Sequence, residues 1–69
     1  HIPLMLKFNY TDAKGNVTIR EVEPYELRKD RLFAFCTTKN TIRQFKLDNI
    51  TNLIETEPFR PRMEIKVPM

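Results

Sequence analysis

The residues of this chain that could do chemistry are mainly arginines and lysines. Between positions 28 and 46 there are six basic residues and one acidic residue, Asp30, so this segment has a formal charge of +5, against +3 for the whole chain. An arginine guanidinium presents a planar fork of donors that can hold a phosphate or carboxylate with two hydrogen bonds. The asymmetry predicts a basic face with an anionic partner; the alternative is an ordinary solvated surface.

The sequence does not indicate an enzyme. It contains no serine, its one histidine is His1, and Cys36 is the sole cysteine. A cysteine nucleophile needs a neighbouring base, and a structural zinc site needs about four nitrogen or sulfur ligands. We therefore predict no catalytic residue, no metal and no cofactor. Cys36 lies in an apolar run, which favours a buried, unreactive thiol.

The elements that must position the basic residues are short strands. Residues 4–10 alternate between apolar and polar, residues 11–16 contain the only glycine, Gly15, and residues 17–22 are rich in β-branched side chains. This pattern predicts a hairpin. Pro24 lacks an N–H, so we expect it to end the second strand or to place it on an edge, with residues 25–30 forming a bend or one loose turn.

The second half of the chain predicts further strands. The stretch of residues 32–38 contains the continuous apolar run Leu32–Cys36, which is typical of a strand covered on both faces, and residues 37–41 are predicted to form a turn. Residues 42–54 fit either a helical or a strand face; a strand to about Leu47, one helical turn over residues 48–50 and a last strand over 51–56 satisfies both patterns. These elements predict a mostly β domain, a small SH3- or Sm-like antiparallel barrel of four to five strands.

We expect this barrel to occupy residues 1–57, with residues 58–69 as a C-terminal tail or linker that Pro58 and Pro61 punctuate. No stretch is long and apolar enough to predict a membrane span, and no signal peptide is evident. The expected location is the cytoplasm.

Three blocks of the sequence, in order and with matching spacing, resemble the WYL domain family. Residues 8–15 hold an aromatic strand end and a glycine turn, residues 20–27 read Arg-x-Val-x-Pro-Tyr-x-Leu, and residues 43–50 read Arg-x-Phe-x-Leu-Asp-x-Ile. The family's naming tripeptide aligns with residues 30–32, of which only Leu32 matches, and Asn49 replaces the usual arginine. Both departures lie in regions that the family associates with its ligand.

The resemblance implies a ligand-sensing domain of bacterial transcription regulators. Such a domain commonly follows a DNA-binding helix-turn-helix in a longer protein and senses a nucleotide or single-stranded nucleic acid. An alternative function is a small barrel that binds other proteins or forms a homodimer. We predict that nucleic-acid affinity falls with salt in the first case, whereas the second predicts a mass that depends on concentration.

Five residues are the candidate ligand contacts: Arg20, Tyr25, Arg31, Arg43 and Lys46. Arg20 and Arg43 match basic positions of the family, and strand alternation predicts that Arg20 points outward, opposite to Val17 and Ile19. The alternatives are a surface ion pair for Arg20, solvation for Arg31, and packing of the stem of Arg43 against Phe45 and Leu47. Lys46, like Lys39, could attract an anion at longer range. Tyr10 and Tyr25 are expected either to stack on a base or to lie in the core.

Overall fold

The computed structural model describes residues 3–62 of the chain. Five strands and one 3-10 turn follow one another: β1 (Leu4–Thr11), β2 (Val17–Arg28), β3 (Arg31–Cys36), β4 (Thr41–Lys46), the 3-10 turn (Leu47–Asn49) and β5 (Ile50–Pro58). They form one sheet in the order β4-β3-β2-β1-β5, and each neighbouring pair is antiparallel. The predicted mostly β, antiparallel fold with a short helical turn is confirmed.

The predicted first hairpin is present, and Asp12 closes its turn. One carboxylate oxygen of Asp12 accepts hydrogen bonds from the backbone N–H groups of Lys14 and Asn16, both at 2.9 Å. The bond from Asn16 is the largest of the causes that lower the pKa of Asp12. Gly15 has a φ of +86°, a conformation that glycine adopts without steric cost. Local turn chemistry therefore sets the register of β1 against β2.

The second strand does not end at Pro24, and the bend or loose turn predicted for residues 25–30 is wrong for residues 25–28, which belong to β2. β2 continues to Arg28, and a two-residue turn at Lys29 and Asp30 leads into β3. β2 pairs with β1 only from Val17 to Val22. Pro24 lies beyond this paired segment, so its missing N–H costs no hydrogen bond to β1. On the β3 side, the pairing register shifts between Pro24 and Glu26, which places the proline at a β-bulge.

The third strand is covered on both faces, as predicted. Its five residues from Leu32 to Cys36 are all buried. We call the face that carries Leu32, Ala34 and Cys36 the inner face, because these residues pack with the core side chains of the other strands. The inner-face core consists of Phe8, Val22, Leu32, Ala34, Cys36 and Phe45. The buried thiol of Cys36 agrees with the sequence interpretation.

The opposite, outer face of β3 carries Phe33 and Phe35. The guanidinium carbon of Arg28 lies 5.0 Å from the ring centre of Phe33, and that of Arg62 lies 4.5 Å from the ring centre of Phe35. Two arginines thus cover two aromatic rings through cation–π contacts. This cover explains why Phe33 and Phe35 are buried although they face away from the core.

Three aromatic rings connect β1 with β4, which are not neighbours in the sheet. Phe45 of β4 makes edge-to-face contacts with Phe8 at 5.2 Å and with Tyr10 at 5.0 Å between ring centres. The backbone N–H of Lys46 donates to the hydroxyl of Tyr10 at 3.1 Å. Phe8 and Phe45 are each only 1% exposed, so these rings are core, and Tyr10 uses its polar end to join the two strands.

The ambiguous region from residue 42 to 54 resolves as a strand, a 3-10 turn and a strand. The turn falls at Leu47–Asn49, one residue before the predicted position, and β5 extends to Pro58. The N–H of Leu47 donates to the carbonyl of Asp30 at 2.9 Å, so this turn is tied to the β2–β3 turn. In residues 3–62 no helix is long and apolar enough to cross a membrane.

The described part of the expected tail contacts the sheet. The N–H of Phe59 donates to the carbonyl of Pro3 at 3.2 Å, and Arg62 reaches β2. Residues 63–69 lie outside the described residues, and the boundary after residue 57 stays a prediction.

Candidate functional site

The sheet register separates the five candidate residues by face. Arg20 and Arg43 lie on the inner face, whereas Arg31 and Lys46 lie on the outer face. Tyr25 lies at the β-bulge and contacts the chain after β5. The structure therefore does not bring all five together, and only the inner arginine pair (Arg20 and Arg43) shares a face with the aromatic core.

Arg20 points inward, so the prediction that it faces outward is wrong. Arg20 is two residues before Val22 on β2, so both side chains point to the same face, and Val22 is fully buried. Val17 and Ile19, on the opposite face, are 60% and 68% exposed. Alternation along β2 holds, but the buried face is the opposite one, because the two β-branched residues at the start of the strand are exposed. Burial of Val22 fixes the orientation, and one register step would reverse it.

Two contacts hold the half-buried Arg20 side chain. Its Nε donates to the hydroxyl of Thr18 at 3.0 Å, and its guanidinium carbon lies 5.9 Å from the ring centre of Phe45. Phe8 is its partner on β1. The side chain is therefore placed over the aromatic core, and its two terminal nitrogens have no hydrogen-bond partner among residues 3–62.

Arg43 lies on the same face as Arg20, two residues before Phe45. Its partner on β3 is Ala34, the smallest side chain of the core. Arg43 itself is exposed, and within the described residues it has no ion-pair partner. The expected packing of its stem beside Phe45 is compatible with this position, whereas Leu47 lies in the 3-10 turn rather than on the strand. The inner face thus carries one half-buried and one exposed guanidinium, and an anion long enough to reach both could bind to each.

The outer face carries a row of three basic residues across adjacent strands. Arg28 is paired with Arg31, and Arg31 with Lys46. Arg28 forms an ion pair with Glu26, and Arg31 has its Nε 4.0 Å from a carboxylate oxygen of Asp30. Arg31 also donates to the side-chain oxygen of Gln44 at 3.2 Å. Neighbouring acids thus offset part of the charge of this row.

Tyr25 is engaged with the C-terminal segment. Its hydroxyl donates to a carboxylate oxygen of Glu23 at 3.0 Å and accepts from the N–H of Arg62 at 2.9 Å, and its ring meets Phe59 edge-on at 5.9 Å. Glu23 is only 5% exposed and also accepts from Nε of Arg62 at 3.0 Å. Desolvation raises the pKa of Tyr25. A ligand contact by Tyr25 stays a prediction.

Two concave features were not anticipated from the sequence. One is a cleft of about 260 Å³ beside the start of β2, lined by Thr18, Ile19, Arg20, Glu21, Cys36, Thr38 and Lys39. The other is an aliphatic groove of about 390 Å³, lined by Leu6, Leu27, Leu32, Leu47, Ile50 and Leu53. The lining residues come from distant parts of the chain, so only the fold reveals them. No cluster of metal-ligating side chains occurs in residues 3–62.

The described residues form a small β domain with a single five-stranded antiparallel sheet. The family model of the WYL domain matches residues 4–55, most of the chain, and the chain belongs to the WYL domain family. The resemblance inferred from the three sequence blocks is thereby confirmed. No solved structure gives a significant match.

A curated relative is the uncharacterized HTH-type transcriptional regulator YobV of Bacillus subtilis (strain 168). It is 39% identical to this chain over 54 residues, which cover 72% of the chain. The same residues cover 17% of the relative, so the chain corresponds to about one sixth of that protein's length.

Proposed function

We propose that this domain is a non-enzymatic sensor within a cytoplasmic transcription regulator and that it binds an anionic ligand, a nucleotide or single-stranded nucleic acid. Membership in the WYL family supports a regulatory role, as does the likeness to an HTH-type regulator. In a protein of the relative's kind, a DNA-binding domain would lie elsewhere in a longer chain. Ligand binding would then bias the state of that regulator.

One observation carries the proposal: Arg20 and Arg43 share the inner face beside Phe45. Arg20 is oriented by Thr18 and by the ring, so less side-chain freedom is lost when it binds a ligand. Arg43 is exposed and adds a second positive charge on the same face. Two guanidinium groups on one face can each donate hydrogen bonds to phosphate oxygens of a ligand that extends along that face.

The outer row has a different role in this proposal. Arg31 and Lys46 cannot reach an anion on the inner face, and Arg31 already interacts with Asp30 and Gln44. We therefore assign to them the attraction of a polyanion at longer range, which raises the association rate more than the lifetime of the complex. Tyr25 contributes by holding the C-terminal segment in place.

Fluorescence polarisation of a labelled single-stranded oligodeoxynucleotide tests the proposal. We expect Arg20→Ala and Arg43→Ala each to lower the affinity about tenfold, because each removes a charge-assisted hydrogen bond. Log affinity of the wild type should fall linearly with log salt. Lys7→Ala, on the exposed outer side of β1, is the control with the same charge change. Equal affinities for all variants, or no binding at low salt, would contradict the proposal.

A second candidate function is homodimerisation, favoured by the aliphatic groove. Leu27 and Leu53 line it and are 62% and 52% exposed, which is unusual for side chains clustered in one concave surface. A second copy that covers this groove would double the mass from 8.3 kDa in light scattering, in a concentration-dependent way that Leu53→Asp abolishes. A constant monomer mass would remove this candidate.

A further inference from the structure

The start of β2 has an open edge. The ladder between β1 and β2 begins at Val17, whereas the ladder between β2 and β3 begins only at Val22, opposite Cys36. Residues 17–21 therefore pair with β1 on one side and with no strand of the described chain on the other. The turn over residues 37–40 leaves β3 here, and the cleft of about 260 Å³ opens between this turn and β2.

The cleft brings together two cations and two hydroxyl groups. Arg20 and Lys39 supply the charge, and Thr18 and Thr38 supply the hydroxyls. The backbone of an unpaired strand edge adds N–H donors that nothing in the described residues occupies. The cleft thus concentrates the groups that proteins use to hold a phosphate.

The one acid of the cleft is held elsewhere. Glu21 accepts a hydrogen bond from the hydroxyl of Thr56 on β5 at 3.3 Å, on the far side of β1 from the cleft. Glu21 does not pair with Lys39, which has no ion-pair partner among residues 3–62. The electrostatic balance inside the cleft favours an anion.

Size limits what the cleft can take. The cleft of about 260 Å³ is close to the lower end of the range of about 300–1,000 Å³ for small-molecule pockets, so a phosphate group fits within it. Arg20 belongs to the cleft and to the inner arginine pair. A group bound in the cleft would therefore lie at the beginning of a path that continues over the inner face to Arg43.

We propose that this cleft is a phosphate subsite formed by Arg20, Lys39, Thr18 and Thr38. The phosphate is either a phosphodiester of a nucleic acid or the phosphate of a free nucleotide. The inference rests on the proposed function and deepens it, because it places the anionic group of the ligand at one position. Lys39 and Thr38 become specific contacts, whereas the sequence alone suggested only general attraction for Lys39.

Titrations of the ¹⁵N-labelled chain followed by NMR test the subsite directly. The probes are inorganic phosphate, adenosine monophosphate, adenosine without phosphate, and a short oligodeoxythymidine. We expect the amide signals of residues 17–21 and 37–39 to shift with the three phosphate-containing probes and not with adenosine. Tighter binding of oligodeoxythymidine than of the mononucleotide would identify a nucleic acid as the source of the phosphate, and the reverse order would identify a free nucleotide.

Variants make the test specific. Lys39→Ala should weaken binding about five- to tenfold, and Thr38→Val, which keeps the shape and removes the hydroxyl, by a smaller factor. Lys14→Ala, in the exposed β1–β2 turn, is the control for loss of one charge and should bind as the wild type. The fold of each variant is checked by the dispersion of its amide spectrum.

The two possible failures can be told apart. If Lys39→Ala and Thr38→Val bind oligodeoxythymidine as the wild type does while Arg43→Ala does not, the subsite is wrong and the proposed function stands. If no nucleotide or oligonucleotide binds but inorganic phosphate still shifts the cleft signals in a Lys39-dependent way, the proposed ligand is wrong and the subsite stands.

Discussion

The guanidinium of Arg20 lies over Phe45, and its Nε is bonded to Thr18. These two contacts make Arg20 a positioned donor rather than a mobile surface charge. The sequence could single out Arg20, because it stands in a block of family-like spacing, but it could not reveal these contacts. Residue types predict what a side chain can do, whereas its partners depend on strands that are far apart in the chain.

The contacts of Glu23 with Tyr25 and Arg62 show more clearly that long-range contacts cannot be read from the sequence. Arg62 binds both carboxylate oxygens of Glu23, at 3.0 and 3.3 Å, across 39 positions of sequence. Two charged residues that are 39 positions apart produce no periodic pattern in the sequence. The sequence prediction of a tail after residue 57 rested on low periodicity, which says nothing about such long-range contacts.

At this scale we predict that Tyr25→Phe destabilises the domain by about 1–2 kcal/mol at neutral pH, because it removes a donor to Glu23 and an acceptor for Arg62. The measurement is urea unfolding of both proteins at several pH values. The pKa of Tyr25 is raised in the folded state, so its contribution is complete below the ordinary value of 10.0 and is lost as pH rises through the folded value.

The difference between wild type and Tyr25→Phe should therefore shrink above about pH 10. Tyr10→Phe, which also loses a hydroxyl contact, serves as the comparison, since that hydroxyl accepts from the backbone of Lys46. A difference between wild type and Tyr25→Phe that stays constant across this range would contradict the role given to the Tyr25 hydroxyl.

Among the elements, β2 departs most from its sequence pattern. Its start presents Val17 and Ile19 to solvent, and its middle contains Pro24 in a strand that has neighbours on both sides of the sheet. Alternation determined which residues share a face, but not which face is inside. The proline is tolerated because the β1 ladder has already ended and a bulge faces β3. The other strands form where their apolar patterns predict them, since the apolar residues and the flanking turn residues indicate the same strand positions.

A pair of matched substitutions tests the face assignment of β2. Val22→Thr should destabilise the domain by about 1–3 kcal/mol, because it buries a hydroxyl in the inner-face core. Ile19→Thr should change stability by no more than about 0.5 kcal/mol, because Ile19 is 68% exposed. Urea unfolding measures both values. A larger cost at Ile19 than at Val22 would mean that the inner and outer faces are reversed.

For the whole molecule, the sequence predicted the fold class and the family, and it located the basic residues without locating a site. The local excess of charge between residues 28 and 46 is divided by the sheet, which puts Arg43 on the inner face and Arg31 with Lys46 on the outer face. Arg20, outside that segment, joins Arg43. A charge count along the chain cannot show this division, because it depends on strand parity and on the order of strands in the sheet.

The most direct test of the inner arginine pair compares two double variants of equal net charge. The inner-face variant combines Arg20→Ala with Arg43→Ala, and the outer-row variant combines Arg31→Ala with Lys46→Ala. Each removes two positive charges from a chain whose net charge is +3. The net charge is therefore the same in both variants. The measurement is the affinity for a labelled single-stranded oligodeoxynucleotide at low and high salt. We predict that the inner-face variant loses about 100-fold, while the outer-row variant keeps most of its affinity and loses mainly association rate. Equal losses in the two variants, or a greater loss from the outer row, would contradict the assignment of the ligand to the inner face.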